Sequence, residues 1–215
     1  MRINRNKSVS SPIIIYYYRK HDKFDTRGVN ILTKQICQSS HFLQPANGDV
    51  QFTLKSCALD IILVAKNVHG ACAIFLGDSP DVLALALQQY FPHARQVDND
   101  QQLIDMAAQL IDFIHSPNKT LTLTLDIHGT PFQKRGWQAL QDIPTGQTAT
   151  YRDIAQRINA PFAIRAVANA CAANLLAIAI PCHRVVRSDG KLSGYRWGVA
   201  RKAALLHREN AQAKL

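Results

Sequence analysis

The chain has 215 residues, 47% of them hydrophobic, which suits one large or two small domains and supplies enough apolar side chains for a core. No apolar run is long enough to span a membrane, and the five cysteines include no Cys-x-x-Cys pair and give no zinc-ligand pattern. Lys and Arg exceed Asp and Glu by 10, mostly within residues 151–215, where a polyanion such as nucleic acid is the expected partner and a solvated basic face is the alternative.

Residues 1–50 differ from the rest because they are basic, carry scattered Asn and Ser, and show little helical periodicity. They predict a basic N-terminal extension whose order the sequence leaves open. The run Ile13–Tyr18 predicts either a strand or an aggregation-prone patch, since it is too short for the apolar region of a signal peptide and lacks a cleavage site. An odd cysteine count without a secretion signal favours a reducing compartment, so we expect a cytoplasmic protein.

Between residues 51 and 127, apolar runs alternate with amphipathic stretches, which predicts a small α/β unit. This unit contains no catalytic constellation. Its predicted elements are a β-hairpin of Cys57–Lys66 and Gly70–Gly77, a helix over Asp81–Tyr90, a helix N-capped by Asp100 with one face of Leu103, Ile104, Ala107, Leu110, Ile111 and Ile114, and a strand over Leu121–Ile127.

From residue 128 to the end of the chain the pattern becomes mainly helical. Two short helices separated by the break Asn159–Pro161, with basic residues facing outward, describe a helix-turn-helix, and taken alone this motif favours docking in the major groove. The predicted helices are Pro131–Leu140, Tyr151–Ile158 with Thr150 as N-cap, Phe162–Ala173 and Val199–Asn210. We therefore expect three parts, residues 1–50, 51–127 and 128–215.

The segment Pro181–Val185 places a thiol directly beside an imidazole. It follows the apolar run Leu175–Ile180, which predicts a buried segment that delivers the cysteine to a site. A thiol attacks as thiolate, and His183 and Arg184 supply positive surroundings that favour this form. The alternative is that Cys182 is a small buried hydrophobe, the ordinary state of a free cysteine.

The chain has 14 aspartates and a single glutamate, Glu209, in the last predicted helix. A cysteine–histidine site benefits from a carboxylate that orients the imidazole. A lone glutamate on a helix is more often solvated, and spacing alone does not pair Glu209 with His183.

Several segments of this half resemble the O6-alkylguanine-DNA alkyltransferases, which are the methylated-DNA–protein-cysteine methyltransferases. The resemblance is strong from Gly129 to Asn210 and weaker upstream to about Cys57, so that it covers about 160 of the 215 residues. It implies an α+β fold in which a small N-terminal α/β domain of RNase H-like type precedes a mainly helical helix-turn-helix alkyltransferase domain. The resembling segments are Arg165–Ala168, Ala173–Asn174 with the apolar run that follows, Ile180–Val186 and Leu192–Gly198.

The resemblance implies DNA repair by direct reversal. An alkyl group, such as methyl, would pass irreversibly from O6-alkylguanine, and by extension O4-alkylthymine, to Cys182 after nucleotide flipping. The product is a stable thioether, so each molecule would act once as a methylated-DNA–protein-cysteine S-methyltransferase. His183 would take the thiol proton through a bridging water, and Glu209 would hold His183 in place. Asn174 would order the segment before the cysteine, with a helix C-cap as the alternative role.

The same resemblance implies roles at the DNA. Tyr151 would lie near guanine N3 and help rotate the nucleotide out, with a partly buried aromatic as the alternative. Arg165 would fill the vacated space in the base stack, with a solvated residue as the alternative. The backbone of Cys182 and Val185 would meet the guanine amino group, and a backbone amide near Arg196 would approach O6. The second helix would dock at the minor groove.

The resemblance implies no cofactor and no metal, and it makes double-stranded DNA carrying O6-alkylguanine the partner of a monomer without a membrane. We expect repair alone, because residues 1–50 lack the four-cysteine metal site found in regulatory relatives. Arg184 is predicted to form a structural ion pair, and Cys171 and Trp137 to pack in the core. The predicted phosphate contacts, or alternatively a solvated face, are Arg187, Lys191, Arg201 and Lys202.

Three other classes of function remain open at this point. A non-catalytic lesion binder would lack the acceptor cysteine, which this chain has. A helix-turn-helix transcription factor would show sequence preference, and equal affinity for unrelated duplexes would exclude it. A cysteine hydrolase would turn over an ester substrate.

Overall fold

The computed structural model describes residues 49–212, with side chains up to residue 210. The predictions for residues 1–50 lie outside the described residues except at Asp49 and Val50. The elements in chain order are β1 (Gln51–Cys57), β2 (Asp60–Asn67), β3 (Gly70–Gly77), α1 (Pro80–Gln88), β4 (Arg95–Gln96), α2 (Gln101–His115), α3 (Pro131–Gln141), β5 (Ala149–Thr150), α4 (Tyr151–Arg157), α5 (Ile164–Ala172), a 3-10 turn (Cys182–Arg184), β6 (Val185–Val186) and α6 (Val199–Gln212).

A four-stranded sheet in the order β3-β2-β1-β4 forms the first half of the described chain. β1, β2 and β3 are antiparallel to their neighbours, whereas the short β4 runs parallel to β1. Every residue of β3 is buried, which explains its uninterrupted apolar run. The predicted hairpin is confirmed as β2–β3. Its turn ends at Gly70, where φ is +138° and an added Cβ would lie 2.4 Å from the Thr124 carbonyl oxygen, so only glycine fits.

Strand β1 was missing from the sequence-based prediction, which began the hairpin at Cys57 rather than at Asp60. Polar residues such as Lys55 and Ser56 interrupt its apolar pattern, because one face of this strand is only partly buried. Its pairing with β2 depends on a two-residue connection after Cys57, and a weak alternation did not reveal it.

The predicted strand over Leu121–Ile127 is wrong. Only Leu125 forms a bridge, to Ala71, with the Ala71 N–H donating to the Thr124 carbonyl at 2.9 Å. The alternation of Leu and Thr reflects burial of one side of an extended segment that meets the edge of β3 at a single point. Side-chain period therefore indicated which face is covered and did not indicate ladder pairing.

The predicted helices are confirmed to within a few residues at their ends. The Asp100 carboxylate accepts from the Leu103 N–H at 2.9 Å and caps α2. Thr130 and Thr150 begin α3 and α4, each in a reciprocal capping box with the residue three positions on. Trp137 is buried as predicted, and its Nε1–H donates to the Ala170 carbonyl of α5.

Two backbone pairings fix the position of the cysteine segment. On the free edge of β3, the Ile74 N–H donates to the Leu175 carbonyl, and the Ala177 N–H donates to the Ile74 carbonyl. Beyond the cysteine, β6 pairs in parallel with β5, directly before Tyr151. The chain before Cys182 is thus held by the sheet, and the chain after it is held beside the start of α4.

Within residues 49–212 no helix is both long enough and apolar enough to cross a lipid bilayer. The division of the chain near residue 127 stays a prediction.

Candidate active site

Cys182 opens the 3-10 turn and is only 6% exposed. The side-chain amide of Asn174 donates to its Sγ at 3.3 Å and to the Ile180 carbonyl at 2.9 Å. The Asn174 oxygen in turn accepts from the Leu176 N–H at 2.9 Å. Asn174 lies one residue beyond the C-cap of α5, which is Ala173, and its buried side chain connects the two ends of the segment that leads to the thiol.

Burial raises the pKa of the Cys182 thiol, against the hydrogen bond from Asn174 and the positive charges of Lys202 and Arg196. The group therefore rests as a thiol and needs a base. The prediction that His183 and Arg184 supply its positive surroundings is wrong, because burial lowers the pKa of His183 and Arg184 is engaged elsewhere.

The single glutamate of the chain is only 2% exposed, so the alternative of a solvated Glu209 is wrong. Its Oε1 lies 2.8 Å from Nε2 of His183, and Arg184 Nη2 donates to the same oxygen at 2.9 Å. Arg184 also donates through Nη1 to the Ile143 carbonyl. The predicted ion pair of Arg184 is confirmed, with Glu209 as its partner.

Charge in this cluster is divided by burial. Burial raises the pKa of Glu209, but hydrogen bonds and charge from His183 and Arg184 outweigh it, so the net pKa is lowered. Burial lowers the pKa of His183 and keeps the ring neutral. Because Nε2 faces an ionised carboxylate, it carries the ring proton, and Nδ1 keeps its lone pair. Nδ1 is buried and has no hydrogen-bond partner among residues 49–210.

Two basic residues of α6 are not on the surface. Lys202 is fully buried, and Arg201 is 9% exposed with its guanidinium on Asp60 and Asp78. Neither a phosphate contact nor a solvated face fits them, so both predicted alternatives are wrong. A helical spacing could have revealed Lys202, because it lies seven residues before Glu209 on the face that carries the buried Leu205.

Lys202 connects the cysteine segment to α4. Its Nζ donates to the Val185 carbonyl at 2.5 Å and to Ser193 Oγ at 2.8 Å. Ser193 Oγ lies 2.7 Å from the Tyr151 hydroxyl. The predicted site residues Tyr151 and Val185 are therefore joined through two side chains that the sequence did not single out for this site.

The remaining predicted residues lie outside this network. Arg165 is exposed on the first turn of α5. The Arg196 side chain donates to the Ala172 carbonyl at 3.1 Å and lies 5.1 Å above the Trp197 ring. A cleft with about 490 Å³ of empty space opens beside Tyr151. It is lined by Thr150, Tyr151, Arg152, Ile164, Arg187 and Ser188.

In the described part of the chain, no three His, Cys, Asp or Glu side chains are grouped as a metal site would require.

Comparison with known proteins gives matches of three kinds. A family model described as 6-O-methylguanine DNA methyltransferase, DNA binding domain, matches residues 131–211. The chain is 48% identical over 193 residues to the bifunctional transcriptional activator/DNA repair enzyme Ada of Escherichia coli, covering 90% of this chain and 52% of Ada. It is 42% identical over 119 residues to the inducible methylated-DNA–protein-cysteine methyltransferase of Bacillus subtilis, covering 55% and 66%.

Among solved structures, Mycobacterium tuberculosis OGT in complex with DNA superposes with a TM-score of 0.65 at 31% identity, covering 75% of this chain and 94% of that one. The mixed α+β architecture is that of these structures. The chain spans about half the length of the first curated relatives that it matches, which are Ada proteins. Because nearly the whole of a solved relative is matched at this identity, the chain belongs to the O6-methylguanine-DNA methyltransferase family.

Proposed function

We propose that this protein repairs DNA by moving an alkyl group from O6-alkylguanine to its own cysteine. The observation that carries the proposal is the buried cluster in which Cys182 follows an ordered segment and its neighbour His183 is held by Glu209. Membership of the family supports the substrate. The partner is double-stranded DNA carrying O6-alkylguanine, with O4-alkylthymine as a further substrate.

The proposed step is a displacement at the alkyl carbon. His183 Nδ1 takes the thiol proton of Cys182 through a bridging water, and Glu209 stabilises the imidazolium that forms. The sulfur forms a bond to the alkyl carbon while the bond from that carbon to O6 breaks, and the electron pair stays with guanine. A thioether offers no easy leaving path, so each molecule acts once. No cofactor enters this step.

Access to O6 needs the nucleotide outside the base stack, at a cost of a few kcal/mol for unstacking. The cleft beside Tyr151 supports entry of the flipped nucleotide, with this phenol near guanine N3. The exposed Arg165 is placed to fill the vacated space. The Val185 and Cys182 backbone would meet the guanine amino group, and a backbone amide near Arg196 would approach O6.

The finer description of the fold belongs to the same proposal. A sheet in the order β3-β2-β1-β4, with only β4 parallel, supports an RNase H-like N-terminal domain over residues 51–127. The packed pair α4 and α5 supports a helix-turn-helix within residues 128–215, docked at the minor groove. We further propose a cytoplasmic monomer, on the odd cysteine count without a secretion signal.

The first test is incubation of the protein with a duplex that contains one O6-methylguanine, followed by peptide mass analysis. We expect a gain of one CH2 unit on the peptide that holds Cys182 and the appearance of guanine in the DNA, with one methyl per protein molecule. An O4-methylthymine duplex tests the further substrate separately. Lesion content that stays unchanged while the protein remains bound to the DNA would replace the proposal with a non-catalytic lesion binder.

A second test separates flipping from chemistry. In Arg165→Ala, we expect transfer from duplex DNA to slow by about tenfold or more, because nothing offsets the lost stacking. Transfer from free O6-methylguanine base should keep its rate, since no stack must open. Lys134→Ala, an exposed basic residue on α3, is the control and should match the parent protein on both substrates. Equal slowing of Arg165→Ala on duplex and free base would contradict the role in flipping.

A further inference from the structure

Lys202 is a buried cation for which the proposed function has no role. It is fully buried, and no carboxylate pairs with it among the residues that the structure describes. Its ammonium is stabilised only by the Val185 carbonyl and by Ser193 Oγ. A desolvated charge is costly unless it is well bonded, and burial accordingly lowers the pKa of Lys202. A group in this state gives up a proton more readily than a surface lysine.

The hydrogen-bond lengths set the direction of the chain that starts at Lys202. An ammonium only donates, so Ser193 Oγ accepts from it at 2.8 Å. The single hydroxyl proton of Ser193 then has two acceptors in reach, the Tyr151 oxygen at 2.7 Å and the Val185 carbonyl at 3.4 Å. The shorter contact is the stronger hydrogen bond. Ser193 therefore donates to Tyr151, and the phenolic proton of Tyr151 stays free for the cleft.

We propose that Lys202 and Ser193 are positioning residues that form a proton relay to Tyr151, through which the departing guanine is protonated. The inference rests on the proposed function and adds the source of the second proton. It concerns a path separate from His183, which receives the thiol proton.

The relay balances the charges of the transfer step. When the bond from the alkyl carbon to O6 breaks, guanine keeps the electron pair and would leave as an anion. Tyr151 gives its proton to the guanine ring nitrogen that faces it, Ser193 gives its proton to Tyr151, and Lys202 gives one to Ser193. Lys202 ends as a neutral amine and His183 as an imidazolium, so the protein carries the same net charge as before the transfer.

The test is Ser193→Ala, which removes the middle of the relay and leaves the bond from Lys202 to the Val185 carbonyl in place. Single-turnover rates are measured against pH with the O6-methylguanine duplex. We expect the rate at neutral pH to fall by about tenfold or more, since positioned general acids contribute on this scale or above it. The affinity for the duplex should not change. In the parent protein the rate should decline in alkali as Lys202 loses its proton, and this decline should be absent from Ser193→Ala.

Controls separate a relay from a merely structural hydroxyl. Ser193→Thr keeps the hydroxyl and should restore both the rate and the alkaline decline. Ser79→Ala removes a remote hydroxyl that makes no capping bond and should change neither. A Ser193→Ala profile that keeps its alkaline decline, slowed or not, would overturn the relay.

A double-mutant cycle covers the case in which Ser193→Ala folds poorly. Adding Ser193→Ala to Tyr151→Phe should slow transfer no further, because the phenol that the relay serves is already gone. Slowing that multiplies instead would overturn the inference. If the parent protein itself fails to take up the alkyl group, the proposed function fails; normal transfer by the parent with an unaltered Ser193→Ala overturns the relay alone.

Discussion

Replacing Cys182 by serine is expected to abolish alkyl transfer without weakening DNA binding. Serine fills nearly the same volume and still accepts the amide hydrogen of Asn174, so the segment before it should stay ordered. Its hydroxyl is a far weaker nucleophile than a thiol at neutral pH, and a histidine base does not close this gap. We expect the transfer rate to fall by at least about a thousandfold.

The measurement is methyl uptake over time by intact mass, with duplex affinity determined in parallel at one fixed salt concentration. Cys171→Ser is the matched control. Burial raises the pKa of Cys171 as it does that of Cys182, but Cys171 lies in α5, away from His183 and Glu209. It should transfer at the parent rate. Methyl uptake by Cys182→Ser at any other residue would contradict the assignment of the acceptor.

Glu209→Gln has the second large expected effect, on stability and on transfer together. The amide keeps the shape of the carboxylate but not its charge, so Arg184 becomes a buried cation without a counter-ion. Breaking one side of a buried ion pair costs about 3–5 kcal/mol. Urea unfolding at neutral pH should show this loss. Transfer should slow as well, because His183 loses the group that stabilises its imidazolium.

The pH dependence of the Glu209→Gln deficit has a definite sign. The folded protein lowers the pKa of Glu209, so this carboxylate contributes stability that is complete above its unfolded value of about 4.3 and is lost as pH falls through the folded pKa. The deficit of Glu209→Gln should therefore be full at neutral pH and shrink in acid. Asp105→Asn, which changes an exposed carboxylate on α2, should lose under about 0.5 kcal/mol at any pH. A Glu209→Gln deficit that does not depend on pH would contradict the buried ion pair.

Local signals predicted the elements whose causes are local. The cap at Asp100, the capping box at Thr150 and the glycine at the β2–β3 turn each act within a few residues, and each was found. Strand β1 and the parallel pair β5–β6 depend on partners elsewhere in the chain, and sequence pattern did not reveal them. The Leu121–Ile127 alternation failed for the related reason that burial and pairing are separate properties.

The site divides in a similar way. The motif at Cys182 and the family resemblance supplied the nucleophile, its neighbour His183 and the candidate carboxylate Glu209. They did not supply Lys202, because a lysine in a basic region gives no sign of burial until the face of its helix is considered. Ser193 was absent for a different reason, since a serine in a glycine-rich loop has no distinctive spacing and is placed only by the contacts of Lys202 and Tyr151.

The amide of Asn174 has a consequence for how this protein can diverge. It closes residues 174–182 into a ring by holding the Ile180 carbonyl and the Cys182 sulfur, and the middle of that ring is anchored on β3. An insertion or deletion of one residue in this ring would shift the sulfur along the chain, out of reach of the amide and of the base. The loop at residues 188–191 is exposed and carries no such closure. Among descendants of this sequence, length variation should accumulate in residues 188–191, while residues 174–182 keep their number even where their side chains drift.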